Sequence, residues 1–214
     1  MNQFNFEKQA PFMHKDEYNF IQSFLNKESV MLEWGSGGST LYFSKFVDEY
    51  YSLEHNRQWY NKIRKMLEEE AINNVNYIFI SSDPPNWDRP VDWRSVLNYS
   101  TPTKYFKNYI DCIERFDRRF DYILIDGRCR SQCALKSLFY LKDDGVLFFH
   151  DFYPRKKYGY HNVLEFFDEI DGIKHTSQTV IALKKKEEYK SLIGPFSVDK
   201  ITNKLNNLQS NIKY

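Results

Sequence analysis

The chain has 214 residues, 42% of them hydrophobic and 18% aromatic, enough apolar side chain for one full globular core. Its 30 basic residues are offset by 29 acidic ones for a formal charge of +1, which gives no general attraction to polyanions, so nucleic acid is not expected as the main partner. No apolar run reaches the roughly 20 residues of a membrane span, there is no signal-peptide core, and Cys112, Cys129 and Cys133 form no metal-ligand spacing; a cytoplasmic protein with reduced thiols is expected.

Helix-like and strand-like segments alternate along the chain, the pattern of a doubly wound α/β fold with a mostly parallel sheet. A first helix is predicted near Lys15 to Leu25. Val30 to Trp34 is a short apolar run, as in a buried strand, and breaks at once into Gly35-Ser36-Gly37-Gly38-Ser39-Thr40. Glycines let this backbone turn tightly and approach a ligand, and Leu41 to Val47 continues at helical spacing, so the stretch reads as a nucleotide-cofactor loop opening a helix. Tyr50 to Glu54 is the second strand, ending in an acid that could take both hydroxyls of a ribose. A helix from Trp59 to Ala71 precedes a third strand, Val75 to Ile80, closed by Ser82-Asp83. A helix through Tyr105, Tyr109, Ile110 and Ile113 follows, then a fourth strand from Phe120 to Asp126, a helix from Ala134 to Leu141 and a fifth strand from Gly145 to His150. A last helix, Val163 to Ile170, leads into Ile173 to Thr176 and Thr179 to Leu183, which pair as an antiparallel hairpin at the sheet edge, for a Rossmann-like sheet of seven strands.

Residues 30–184 thus form the principal domain, after an N-terminal cap with a helix over 1–29 and before a tail over 185–214. In that tail Val198, Ile201, Leu205, Leu208 and Ile212 make the stripe of an amphipathic helix, which docks on its own domain or pairs with a second subunit as a homodimer. The segment from Ser81 to Thr103, with Trp87 and Trp93 among its prolines, is too long for a simple connection and reads as a lid or a packed surface loop. Phe4, Phe6, Phe12 and Met13 pack on the core or cover a ligand.

Acids close successive strands: Glu33 before the glycine loop, Glu54-His55, Ser82-Asp83, Asp126-Gly127-Arg128 and His150-Asp151. In an open parallel sheet ligands sit outside these carboxyl ends. On these residues, roughly Val30 to Leu183, the chain resembles the class I methyltransferases that use S-adenosylmethionine. The resemblance implies that Glu33 and the backbone from Gly35 through Ser36, Gly37 and Ser39 hold the methionine end of the cofactor. It further implies that Glu54 holds the ribose, that His55 or Trp59 lies beside the adenine and Asp83 faces its amine, and that Asp126 borders the cofactor.

Within that family the segment from Leu124 to Phe152 is similar to enzymes that methylate sugar hydroxyls, glycan O-methyltransferases such as those of chlorella viruses, with rhamnose among the sugars implied. Metal-dependent sugar methyltransferases carry Asp-Gly-Asp and Asp-Asp-Tyr at the two strand ends, where this chain has Asp126-Gly127-Arg128 and His150-Asp151-Phe152. Asp126, His150 and Asp151 could still make an oxygen-and-nitrogen metal site, which Arg128 would weaken. An alcohol acceptor needs a base, and Asp126, Asp151 and His150 are the candidates. Arg128 and Arg130 could hold acceptor hydroxyls, while Trp87, Trp93, Tyr153, Arg155, Tyr158 and Tyr160 supply flat faces and hydrogen-bonding groups suited to a carbohydrate. Two other readings remain open: an NAD(P)-dependent oxidoreductase, whose third loop glycine is here Thr40, and a non-catalytic binding module on the same fold.

Overall fold

The computed structural model describes residues 10–82, 105–153, 160–174 and 179–193. Among these, seven strands form one sheet: β1 (Val30–Trp34), β2 (Glu49–Glu54), β3 (Val75–Phe79), β4 (Phe120–Ile125), β5 (Leu141–His150), β6 (Phe167–Lys174) and β7 (Thr179–Lys185). Their spatial order is β3-β2-β1-β4-β5-β7-β6. In that order the five strands from β3 to β5 are parallel to one another, and β7 runs antiparallel to both β5 and β6. The described helices are α1 (Lys15–Gln22), α2 (Gly38–Phe43), α3 (Arg57–Glu69), α4 (Lys107–Asp111) and α5 (Arg130–Ser137). None of them is long and apolar enough to cross a membrane.

The central strands are apolar at consecutive positions because both of their faces are covered. On one face Leu32, Trp34, Ile123, Ile125, Leu147 and Phe149 pack with Tyr109, Cys133 and Ala134 of α4 and α5. On the other, Met31, Leu124, Val146 and Phe148 pack with Ile21 of α1 and Phe43 of α2. The chain winds outward from β1 to β3 and then returns to place β4 on the other side of β1, so a crevice opens between the carboxyl ends of β1 and β4.

The predicted alternation holds with three shifts. The helix after the glycine loop is α2 followed by a 3₁₀ turn over Ser44–Phe46. The helix expected from Ala134 is α5, starting at Arg130, and Leu141 belongs to β5. The helix expected from Val163 to Ile170 is absent from the structure: a 3₁₀ turn covers Tyr160–Glu165, and β6 starts at Phe167, opposite Lys185. Asp168, Glu169, Asp171 and Gly172 have little strand propensity, and pairing with β7 sets their conformation. The expectations for Phe4, Phe6, Asp83, Trp87, Trp93, Arg155, Tyr158 and the stripe from Val198 to Ile212 lie outside the described residues.

Candidate functional site

The turn after β1 requires glycine. Gly35 has φ +95°, and a Cβ on it would stand 2.6 Å from Gly127 Cα, in the loop after β4. A Cβ on Gly127 would in turn stand 2.1 Å from the Tyr109 hydroxyl. The two loops therefore meet backbone to backbone and floor the crevice, with the Asp126 amide donating to Trp34 O at 3.0 Å.

Glu33 lies beneath this turn. The β1–β2 register sets it opposite Ser52, whose hydroxyl donates to it at 2.9 Å, while Thr40 donates at 2.6 Å and Ser39 donates to the other oxygen. The side chain is fully buried and does not line the cavity described below. Burial raises its carboxyl to about pH 7, against the three hydroxyls, which favour the ionised form.

Glu54 ends β2 on the other side of the loop. Its Oε2 accepts the Ser36 amide at 3.1 Å and the Ser36 hydroxyl at 2.8 Å; its Oε1 accepts the amides of His55 and Asn56 at 2.8 Å each. Burial works against the charge, but His55 and these donors outweigh it and hold the carboxyl below the usual range. Asn56 caps α3 by accepting the Trp59 amide at 2.9 Å, and the Trp59 indole donates to Ser36 O at 2.6 Å. The Tyr77 hydroxyl from β3 meets Ser36 Oγ at 2.7 Å.

Above these groups is an open cavity of about 610 Å³, walled by Gly35, Ser36, Glu54 to Asn56, Trp59 and Lys62 on one side and by Asp126 to Arg128 and Arg130 on the other. The structure thus gathers Gly35, Ser36, Glu54, His55, Asp126 and Arg128 around one space. Gly37 and Ser39 continue the loop into α2, away from the cavity lining. His150 and Asp151 are buried behind the wall, and the Tyr153 hydroxyl turns to Glu169 on β6.

Behind the wall a charged cluster ties β4 to β5 and to α1. Asp126 Oδ1 meets His150 Nδ1 at 2.8 Å, and His150 Nε2 faces the buried Glu17 carboxylate of α1 at 3.8 Å. Burial opposes a charge on His150, but Asp126 and Glu17 prevail and raise it to about 10, so the imidazole holds its proton at neutral pH. Arg130, the first residue of α5, sends Nε to Gly127 O at 3.1 Å, Nη1 to His150 O at 2.6 Å and to Asp151 at 3.2 Å, and Nη2 to Asp126 O at 3.1 Å and Oδ1 at 3.0 Å. Asp151 is held with φ +60° on this staple.

The ligand atoms of Asp126, His150 and Asp151 lie within 4.8 Å of one another, close enough for a divalent metal. The donor set does not fit one, because the Arg130 guanidinium bridges both carboxylates. A divalent ion about 4 Å from a guanidinium meets a repulsion on the order of 8 kcal/mol at the effective dielectric of a protein. The cation that weakens this site is therefore Arg130, while Arg128 lies on the cavity wall.

Sequence reasoning passed over Glu17, Asn56, Tyr77 and Lys62. Asn56 carries a readable signal, a helix cap directly before α3. Glu17 carries none, because its partner His150 is remote in the chain.

No protein-family model matches the chain, and no curated protein matches it in sequence. Solved structures share its fold. A methyltransferase-like protein from Silicibacter pomeroyi is 24% identical, with a TM-score of 0.64 over 92% of this chain and 97% of that one. An rRNA methylase from Streptococcus thermophilus is 13% identical, with a TM-score of 0.54 over 79% and 94%. A Streptococcus mutans protein in complex with SAH is 14% identical, with a TM-score of 0.53 over 79% and 95%.

Proposed function

We propose that this protein is an S-adenosylmethionine-dependent O-methyltransferase whose acceptor is a sugar hydroxyl of a glycan. The observation that carries the reading is the pairing of Glu54 with the Gly35-Ser36 turn across one cavity, at the crevice of a sheet shared with structures described as methyltransferases. A buried carboxylate at the end of β2 is an acceptor pair for vicinal ribose hydroxyls, and Trp59 and His55 stand beside it for the base. The sugar acceptor rests on the resemblance of the Leu124 to Phe152 segment.

The cofactor, when bound, supplies a methyl group already activated on a sulfonium. The protein then has to align an acceptor oxygen, exclude water and take one proton. Asp126 is the base in this reading, because it alone of the three candidates lines the cavity. His150 and Arg130 hold its Oδ1 and fix its direction as positioning residues. Arg128, on the same wall, is placed to meet acceptor hydroxyls.

Calorimetric titration with S-adenosylhomocysteine, NAD and NADP tests the cofactor. Saturable binding of the first alone is expected; binding of a nicotinamide dinucleotide, or of none of the three, would overturn the reading. With labelled cofactor, label is expected on a glycan oxygen, and transfer to an RNA base would replace the sugar acceptor.

A further inference from the structure

We propose that the Arg130 guanidinium is the resident cation of the Asp126, His150 and Asp151 cluster, occupying the role of a divalent metal, so that this strand edge binds no metal ion. The inference deepens the methyltransferase reading of the same site and rests on it only for the meaning of Asp126.

Two acids and an imidazole converging within 4.8 Å form a set that would attract a cation. Here the cation comes from the chain. Every N–H direction of Arg130 is engaged: Nε on Gly127 O, Nη1 on His150 O and Asp151 Oδ2, Nη2 on Asp126 O and Oδ1. The side chain is only 10% exposed, so water does little to screen it. A guanidinium offers planar, directional donors where a metal would offer open coordination positions. It can therefore orient Asp126 toward the cavity but leaves no position for an acceptor oxygen to coordinate. Alignment of the acceptor falls to the cavity wall.

The test is binding of Mn²⁺ alone, followed by calorimetry and by paramagnetic broadening of the His150 resonances, in the wild type, Arg130→Lys and Arg130→Ala. These readouts need no methyl transfer, so the proposal can fail while the cofactor site stands, and the converse. Wild type and Arg130→Lys are expected to show no saturable binding at millimolar Mn²⁺. Arg130→Ala is expected to gain saturable binding within the same millimolar range, with His150 broadened and the gain removed by adding Asp126→Asn. A merely structural arginine would make the Lys and Ala variants behave alike. Saturable Mn²⁺ binding by the wild type that broadens His150 would overturn the proposal, as would a folded Arg130→Ala that gains nothing. If Arg130→Ala does not fold, the wild type and Arg130→Lys decide: no binding to either supports the inference, and binding to either sinks it.

Discussion

The Ser36 hydroxyl donates to Glu54 Oε2 at 2.8 Å, on the same oxygen that accepts the Ser36 amide at 3.1 Å. The carboxylate proposed to hold a ribose is thus already engaged by the chain's own loop. Ribose hydroxyls and the Ser36 hydroxyl compete for it. Ser36→Ala is therefore expected to bind S-adenosylhomocysteine as tightly as the wild type or a few-fold more tightly, since the amide bond remains. Glu54→Gln is expected to weaken binding about 10- to 100-fold, the worth of a hydrogen bond to a charged acceptor. Calorimetry of both variants decides, and an equal loss in the two would remove Glu54 from the ribose site.

The Gly35 and Gly127 contact makes a second, purely steric prediction. Gly127→Ala drives a Cβ to 2.1 Å from the Tyr109 hydroxyl and is expected to cost about 1–3 kcal/mol. That hydroxyl is buried and makes no hydrogen bond among the described residues, so Tyr109→Phe should be nearly neutral. Combined, the two changes should recover about 1 kcal/mol of the loss in urea unfolding. Strict additivity would show that the clash lies with the backbone of Gly35 and Trp34 instead, which stands at 3.0 Å.

Glu33 should give the protein a pH-dependent stability. Its folded pKa, about 7, lies above the usual 4.5, so between these values the folded state holds a proton that the unfolded chain releases. Stability from this group is full below 4.5 and is lost as pH rises through about 7, a change on the order of 3 kcal/mol. Glu33→Gln has no such proton to lose. Urea midpoints at pH 5 and pH 8 should fall further for the wild type than for Glu33→Gln, and parallel changes would refute the assignment.

The strands were the most legible part of this chain, because central parallel strands such as Ile123 to Ile125 are buried on both faces and read as unbroken apolar runs. Of the edge strand β6 only the end at Ile173 and Lys174, paired with Val180 and Thr179, was legible, since Val163, Phe166, Phe167 and Ile170 imitate helical spacing while only pairing with β7 makes the earlier part extended. At the site, the glycine turn and the strand-end acids were visible from spacing alone. The charged cluster was hidden for a physical reason: whether Arg130 is a surface cation or a buried staple depends on His150 and Asp151 arriving from another strand. Glu33 shows the same limit: that Ser39, Thr40 and Ser52 all donate to it depends on how the loop folds back and on the β1–β2 register.

The three thiols should be inert in the folded protein. Burial pushes Cys112 and Cys129 up to about 12 and Cys133 well above the usual range. A thiol reagent at pH 8 is expected to label none of them until denaturant is added. Rapid native labelling of Cys129, the partly exposed one, would show that the loop before α5 opens.

Lys185 tests the far end of the sheet, away from the cavity. Its side chain is fully buried at the end of β7, with Asp143 at 3.3 Å, and Asp143 also engages Arg119 and the Ser191 amide. Burial and the nearby Arg119 depress the ammonium to about 8, with Asp143 opposing. A depressed lysine releases its proton earlier in the folded state, so its penalty is full below about 8 and disappears as pH rises toward 10.5. Lys185→Met should therefore be neutral or more stable by about 1–3 kcal/mol at pH 7, with the gain shrinking by pH 10. Asp143→Ala should lose about 3 kcal/mol, because it strands a buried cation. Denaturant unfolding at the two pH values checks both, and a Lys185→Met variant destabilised equally at pH 7 and pH 10 would mean that packing, not charge, governs this position.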